Sequence, residues 1–188
     1  MSRKRVAADK LTGGTDDGNP QYLNGSLTLS AANTTTTVTL GTPIVRVGPQ
    51  TGGEAIIMEI LKVYAVLPVI DLDAAAATIR NIALQFSTAS YGTTATVFDD
   101  PRTFAFFQRQ VRNAFTAAGT GLLDINEDPM VYDCTDGAGH GILVATDNIF
   151  IQGSTTNQTA ASGFNFKILY RFKRVSLVEY IGIVQSQQ

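Results

Sequence analysis

The sequence predicts an all-β protein, namely a single eight-stranded jelly-roll sandwich with one inserted helix and a disordered N-terminal arm. Three observations lead to this class. Apolar and polar residues alternate along several segments, which is the period of a half-buried strand. A helical apolar stripe stands out in one segment. The chain has 188 residues, which suits one domain and is short for two.

The clearest predicted strand covers residues 164–172, where every second residue is apolar. Its inward face carries Phe164, Phe166, Ile168, Tyr170 and Phe172. Alternation also predicts strands at 36–47 and 80–88. The content of Val, Ile and aromatic residues, which favour strands, predicts the remaining strands at 54–67, 93–98, 129–133, 141–152 and 175–184. The apolar residues of 54–67 fit either period, and its Ile and Val content decides for a strand.

One helix is predicted between residues 100 and 119. Asp100 can cap its N-terminus, Pro101 suits the first helical position, and Gly119 can end it. An apolar stripe with spacings of three and four is formed by Phe104, Phe107, Val111 and Phe115. Three cations are left to solvent or to a partner, namely Arg102, Arg109 and Arg112. Residues 73–77 add one short helical turn.

Eight strands and one helix fit two packed four-stranded sheets, of which the jelly roll is the best-known form. An immunoglobulin-like sandwich has less support because the chain has no Trp and no pair of Cys residues. Residues 1–25 are predicted to form a flexible basic arm, since they carry too little apolar surface to offset the entropy of ordering. Residues 26–188 then form one jelly-roll domain.

The charges of the chain are unevenly distributed. The net charge of −2 argues against a protein whose whole surface binds nucleic acid. Four of the 14 basic residues nevertheless lie in the first ten positions, namely Arg3, Lys4, Arg5 and Lys10. A mobile basic segment can neutralise phosphates without a fixed geometry, although an ordinary charged terminus has the same composition. A second candidate nucleic-acid site is the cluster of Arg171, Lys173 and Arg174 at the end of a predicted strand.

The sequence does not predict an enzyme. His140 is the only histidine, and it lies in the glycine-rich run 137–141, six residues after the single cysteine, Cys134. No nucleophile-elbow pattern is present. The glycine run lacks the Lys-Ser/Thr of a phosphate-binding loop and precedes a strand, so a β-turn is expected there. A metal-dependent enzyme on a jelly-roll scaffold needs a cluster of histidines, which one histidine does not supply.

No cofactor is predicted. Five carboxylates fall within residues 124–136, and Ca²⁺ takes six to eight oxygen ligands that often come from loops. The segment lacks EF-hand spacing, so solvated loops are the default, with Ca²⁺ at subunit interfaces as the alternative. The single cysteine favours folding in a reducing compartment.

Two C-terminal segments resemble a known family. Residues 168–188, ILYRFKRVSLVEYIGIVQSQQ, resemble the ends of coat proteins from environmental circular single-stranded DNA viruses that encode a replication initiator. Residues 141–151, GILVATDNIFI, are similar to an upstream strand of the same group. The resemblance implies a jelly-roll capsid protein, many copies of which form an icosahedral shell around single-stranded DNA. It also implies assembly inside the host cell, location in the virion, and a basic arm that faces the genome.

One rival interpretation stays open, namely a non-enzymatic β-sandwich that binds a carbohydrate or a receptor. Such a module would expose an aromatic binding face and form small oligomers. The absence of Trp counts slightly against it.

Overall fold

A computed structural model describes residues 18–29, 33–42, 54–70, 79–92, 98–112, 129–158 and 160–187. These residues form nine strands and one helix. The strands are β1 (Gln21–Thr28), β2 (Thr35–Gly41), β3 (Glu54–Val66), β4 (Ile79–Ser87), β5 (Thr103–Arg112), β6 (Met130–Asp133), β7 (Ile142–Val144), β8 (Asn148–Thr156) and β9 (Gly163–Ser176). The helix is α1 (Leu177–Ser186).

The strands form two antiparallel sheets. In the first sheet, β9 lies between β1 and β3, and both β6 and β7 pair with the other edge of β3. The second sheet has the order β2-β8-β4-β5. Because β6 and β7 pair with successive parts of β3, they are equivalent to one interrupted strand. The result is two four-stranded sheets between which the chain repeatedly crosses, which confirms the predicted all-β jelly roll.

The core lies between the two sheets. Alternation along β9 turns its five apolar residues inward, as the sequence predicts, where they meet the apolar face of β4. Phe86 of β4 lies near the centre, with its ring centroid 5.4 Å from that of Phe166. Gly153 marks a close approach of the sheets, because a Cβ there would lie 2.5 Å from Leu27 Cδ2.

A second, smaller apolar cluster lies on the outer face of the first sheet. Helix α1 packs there through Tyr180, Ile183 and Val184 onto Ala55, Ile57, Ala145 and Val175. The Gln187 side chain fastens the end of the helix to β7, since it accepts a hydrogen bond from Ala145 N and donates one to Leu143 O. Among the described residues, no helix has the length and apolar character needed to span a membrane.

The predicted inserted helix is wrong for its described part, because residues 103–112 form strand β5. Asp100 does act as a cap, but of a turn: its Oδ1 accepts from Arg102 N at 2.9 Å, and its carbonyl accepts from Thr103 N. Pairing with β4 then decides the conformation, since Phe107 lies opposite Leu84 in the core. Pairing with β4 therefore overrides the helical spacing of the apolar residues. Phe115 and Gly119 lie outside the described residues.

The predicted strand at 175–184 is also wrong, because β9 ends at Ser176 and α1 follows. The Ser176 hydroxyl accepts a hydrogen bond from Glu179 N at 3.2 Å. Ser-Leu-Val-Glu is thus a sequence match to the capping box that begins many helices. The segment was predicted as a strand because it is rich in Val and Ile, which favour strands.

Two further boundaries differ from the prediction. The segment 141–152 is two strands, since β7 belongs to the first sheet and β8 to the second, with a bend at 145–147 between them. Residues 21–25, assigned to the arm, belong to β1 and pair with β9. Residues 1–17, the predicted turn at 73–77, and all of the predicted strand 93–98 except Phe98, which lies in a bend, fall outside the described residues.

Candidate nucleic-acid interface

The outer face of the first sheet is electrically distinct from the chain as a whole. Side chains that alternate with the core residues of β3 and β9 point outward and include four cations, namely Lys62, Lys167, Arg171 and Lys173. Glu59 is the one carboxylate that these two strands project on this side. We call the outward surface of β1, β3 and β9 the basic face. It carries a local positive charge on a chain whose net charge is −2.

Glu59 lies at the centre of the basic face and is fully buried. Its Oε2 accepts a hydrogen bond from Arg171 Nε, its Oε1 accepts from Gly141 N at 2.8 Å, and Lys173 Nζ lies 3.7 Å from Oε1. Burial alone would raise the pKa of Glu59, but these hydrogen bonds and the two cations outweigh it and lower the pKa below its usual value. Glu59 is therefore ionised, and it compensates one of the two neighbouring positive charges.

The glycine-rich loop between β6 and β7 lies over Glu59 and forms a turn, as predicted. Asp136 Oδ1 accepts from Ala138 N and His140 N, and Asp136 Oδ2 lies 3.0 Å from His140 Nδ1. Gly139 has a φ of 90°, which favours glycine, and its carbonyl accepts a hydrogen bond from Arg171 at 3.1 Å. The imidazole therefore helps to close a turn that is pinned to β9.

Cys134 is not a reactive thiol. Burial is the main cause that raises its pKa to about 12, and the charge of Asp133 adds to this shift. A thiol with so high a pKa stays protonated near neutral pH, and the thiolate is the nucleophilic form.

The predicted carboxylate cluster is only partly described. Asp133 forms an ion pair with Lys62 at 3.1 Å, and hydrogen bonds from Thr135 together with Lys62 lower its pKa to about 2. The other described member, Asp136, closes the turn. Residues 124–128 lie outside the described part of the chain, and within that part no three His, Cys, Asp or Glu residues are grouped to hold a metal ion.

The structure separates the predicted basic cluster of β9. Arg171 and Lys173 share the basic face, whereas Arg174 points to the opposite side, where its Nη1 lies 3.9 Å from Glu54 Oε2. The predicted arm residues Arg3, Lys4, Arg5 and Lys10 lie outside the described residues. The described chain begins beside this cluster, because Gly18 N donates to Phe172 O at 2.8 Å.

The cations of the predicted helix have other surroundings. Arg102 pairs with Asp100 at 2.9 Å. Arg109 lies opposite Ile82 on the inward side of β5, and one of its guanidinium nitrogens is buried. The prediction that all three cations face solvent or a partner is therefore wrong for Arg109, because β5 is a strand whose alternation turns this position inward. The side chain of Arg112 lies outside the described part of the chain.

Sequence reasoning missed a cleft at the end of the basic face away from α1. The cleft measures about 390 Å³, and its walls include Tyr22, Tyr64, Pro129, Asn165 and Lys167. The two tyrosine ring centroids are 6.5 Å apart, and Lys167 Nζ lies 5.1 Å from the centroid of Tyr22. Tyr22 was assigned to the arm, and the signal that would have placed it is the weak alternation of residues 22–27.

Comparison with solved structures identifies the class of fold as a viral jelly roll. The Human Polyomavirus 6 VP1 pentamer matches with a TM-score of 0.52 at 11% identity, covering 86% of this chain and 96% of that chain. VP1 of Trichodysplasia spinulosa-associated polyomavirus, in complex with GM1 oligosaccharide, matches with a TM-score of 0.51 at 9% identity, covering 88% and 98%. Merkel cell polyomavirus VP1, in complex with disialyllactose, matches with the same four values.

These neighbours are structural capsid proteins and not enzymes. At such low identity the likeness shows a common fold. No protein-family model matches the chain, and no curated protein sequence matches it. The neighbours are polyomavirus proteins, so the resemblance to coat proteins of circular single-stranded DNA viruses is not confirmed.

Proposed function

We propose that this protein is a viral capsid protein, many copies of which assemble into an icosahedral shell around a nucleic-acid genome. The observation that carries the proposal is the fold. The jelly roll accounts for nearly all described residues, and the VP1 structures that share it cover more than four fifths of this chain.

Exposed apolar side chains supply surfaces for subunit contacts. Leu177, Val178 and Ile181 follow one another at helical spacing on the solvent side of α1, and Val178 is 82% exposed. Val131 of the edge strand β6 and Phe98 are exposed as well. Exposed apolar patches mark protein–protein contacts when they are large, and the three side chains of α1 lie within two turns of one another. In this proposal, neighbouring subunits cover α1.

The genome would lie against the basic face and the basic N-terminal residues. Lys10 precedes Gly18 by eight residues, so a chain of about 3.4 Å per residue lets it contact surfaces within about 27 Å of Phe172. Arg3, Lys4, Arg5 and Lys10 would neutralise phosphates together with Arg171 and Lys173. Arg174, near the C-terminal end of β9 and on its other side, would contribute separately from this row. The resemblance of residues 141–188 favours single-stranded DNA as the genome.

The test is negative-stain electron microscopy of the purified recombinant protein, with its absorbance ratio at 260 and 280 nm. We expect uniform closed shells of icosahedral symmetry and a raised ratio. Nucleic acid extracted from the shells should be degraded by a nuclease specific for single-stranded DNA. A protein that stays a monomer or a small oligomer across salt, pH and calcium concentrations would refute assembly.

A pair of variants at one position tests the contact surface. Val178→Asp would place a charge in the subunit contact and should prevent shell formation, because an unpaired buried charge is costly. Val178→Thr has nearly the same shape and no charge, so it should still assemble. Both variants should keep the wild-type circular dichroism spectrum, since Val178 is largely exposed in the single subunit.

A further inference from the structure

We propose that the cleft of the basic face is a base-stacking site for single-stranded nucleic acid, in which Tyr22 stacks on a base and Lys167 contacts the adjoining phosphate. The inference rests on the proposed function for its biological occupant, the packaged genome. It deepens that function by placing one contact of the genome on the folded domain, in addition to the arm.

The first argument is the arrangement of the rings. Tyr22 and Tyr64 lie on β1 and β3, which are two strand spacings, or about 10 Å, apart. Their ring centroids are only 6.5 Å apart, so the rings lean toward each other above β9. Tyr22 nevertheless remains 56% exposed, whereas the inward-facing Tyr170 is buried. The ring of Tyr22 is therefore positioned by its neighbours but still accessible to a planar ligand.

The second argument is the size and composition of the cleft. Its volume of about 390 Å³ falls within the range of about 300–1,000 Å³ that is typical of ligand sites. An aromatic platform beside a cation is the arrangement with which proteins bind single strands, because every base has a stacking face and every nucleotide a phosphate. Lys167 gives up only a weak exposed cation–π contact with Tyr22 when it turns to a phosphate.

The third argument is the linear arrangement of charge. Lys167, Arg171 and Lys173 project from the same side of β9 and span six residues, or about 20 Å. Glu59 compensates one of these three charges, and the two that remain over this length suit an extended polyanion. A compact, uncharged sugar would need no such row. The described chain begins at Gly18 beside Phe172 and reaches Tyr22 four residues later, so the basic N-terminal segment joins the folded domain along this row of charge.

The test is binding of fluorescein-labelled single strands of about 16 nucleotides, one of thymidylate DNA and one of uridylate RNA, to the full-length protein stripped of nucleic acid. The chain has no Trp and six Tyr, so the part of the tyrosine quenching that is lost in Tyr22→Leu reports stacking on Tyr22. Tyr22→Leu keeps an apolar contact with the sheet and should weaken binding about tenfold, with an unchanged salt dependence. Lys167→Gln should lower the slope of log affinity against log salt by about 0.7, the value for one phosphate of a single strand.

The matched control is Phe98→Leu, which removes another exposed aromatic ring, on a segment that packs beside Phe106 of the second sheet. It should bind as tightly as the wild type. The site would be overturned if all three variants bound as tightly as the wild type. It would also be overturned if Phe98→Leu lost as much affinity as Tyr22→Leu. Tyrosine quenching by an oligosaccharide but by neither labelled strand would also overturn it. Circular dichroism and thermal melting confirm that each variant is folded.

The two proposals fail in different ways. Tyr22-dependent binding of either strand by a protein that never forms shells would refute the capsid proposal and support the stacking site. Shells that contain nucleic acid, with no effect of Tyr22→Leu or Lys167→Gln on binding, would support the capsid and refute the site. The ratio of DNA to RNA affinity identifies which nucleic acid the site prefers.

Discussion

Replacement of Glu59 by glutamine should destabilise the jelly roll by about 3 kcal/mol, the lower end of the cost of breaking a buried ion pair. The Glu59 carboxylate is fully buried and accepts hydrogen bonds from Arg171 and Gly141 on its two oxygens, with Lys173 close by. Glutamine has nearly the same shape but only one acceptor oxygen. Its NH₂ group would face one of the two donors, and both cations would lose their counter-charge. We take the lower end because part of the Arg171 side chain reaches solvent.

The assay is urea unfolding of the unassembled protein, followed by far-ultraviolet circular dichroism at one fixed protein concentration. The free energy of unfolding falls with urea at about 2 kcal/mol per molar, so a loss of about 3 kcal/mol lowers the unfolding midpoint by about 1.5 M. The dependence on urea itself should not change. A loss below about 1 kcal/mol would show that the pair behaves like an exposed ion pair and would refute the reasoning from burial.

Glu54→Gln is the matched control, since it makes the same change on the same strand. The Glu54 side chain is 54% exposed, and its ion pair with Arg174 is long, at 3.9 Å. We expect this change to lower the free energy of unfolding by less than about 0.5 kcal/mol. A double-mutant cycle with Arg171→Gln then isolates the Glu59–Arg171 interaction, because the two single losses should add up to more than the loss of the double variant.

Three further predictions concern the same domain. The pKa of Glu59 in the folded protein lies below its usual value of 4.5. The stability advantage of the wild type over Glu59→Gln should therefore be complete above that pH and shrink as pH falls through the lowered pKa, and urea midpoints on both sides of pH 4.5 check this. Gly153→Ala should destabilise by about 1–3 kcal/mol, since its Cβ would collide with Leu27 between the sheets. Gly163→Ala, where a Cβ meets nothing within 4 Å, should shift the melting temperature much less. Cys134 should resist a thiol reagent near neutral pH in the native protein and react fully in urea, because burial raises its pKa to about 12.

The sequence predicted two kinds of strand correctly, namely those with strict alternation and, from their content of strand-favouring residues, 54–67 and 129–133. Residues 164–172 and 80–88 lie in central strands with one side in the core. The pattern of 164–172 reports burial directly, whereas Gln85 and Ser87 on the other side of β4 are buried too. Residues 103–112 were assigned to a helix because Phe104, Phe107 and Val111 recur at helical spacing, and only pairing with β4 makes the segment a strand. Segment 175–184 was assigned to a strand from composition, although the capping residue Ser176 indicates a helix.

Only part of the candidate site could be predicted from the sequence. Arg171 and Lys173 were identified from their clustering, and alternation implies that they share a face. The partner of Arg171, Glu59, lies 112 residues away in the chain, and no local pattern links the two. The split of Arg174 from its neighbours follows from alternation alone and could have been predicted.

The tyrosine cleft depends on one irregularity of β3. Met58 and Ile60 face the core, so regular alternation would also turn residue 64 inward. The register shift between Ile60 and Lys62 adds a residue and reverses the sides, which places Val63 in the core and Tyr64 on the basic face. Because of this bulge, the apolar residues of 54–67 do not alternate regularly, and the strand was predicted from its Ile and Val content instead. The bulge also builds the surface that we propose for nucleic acid.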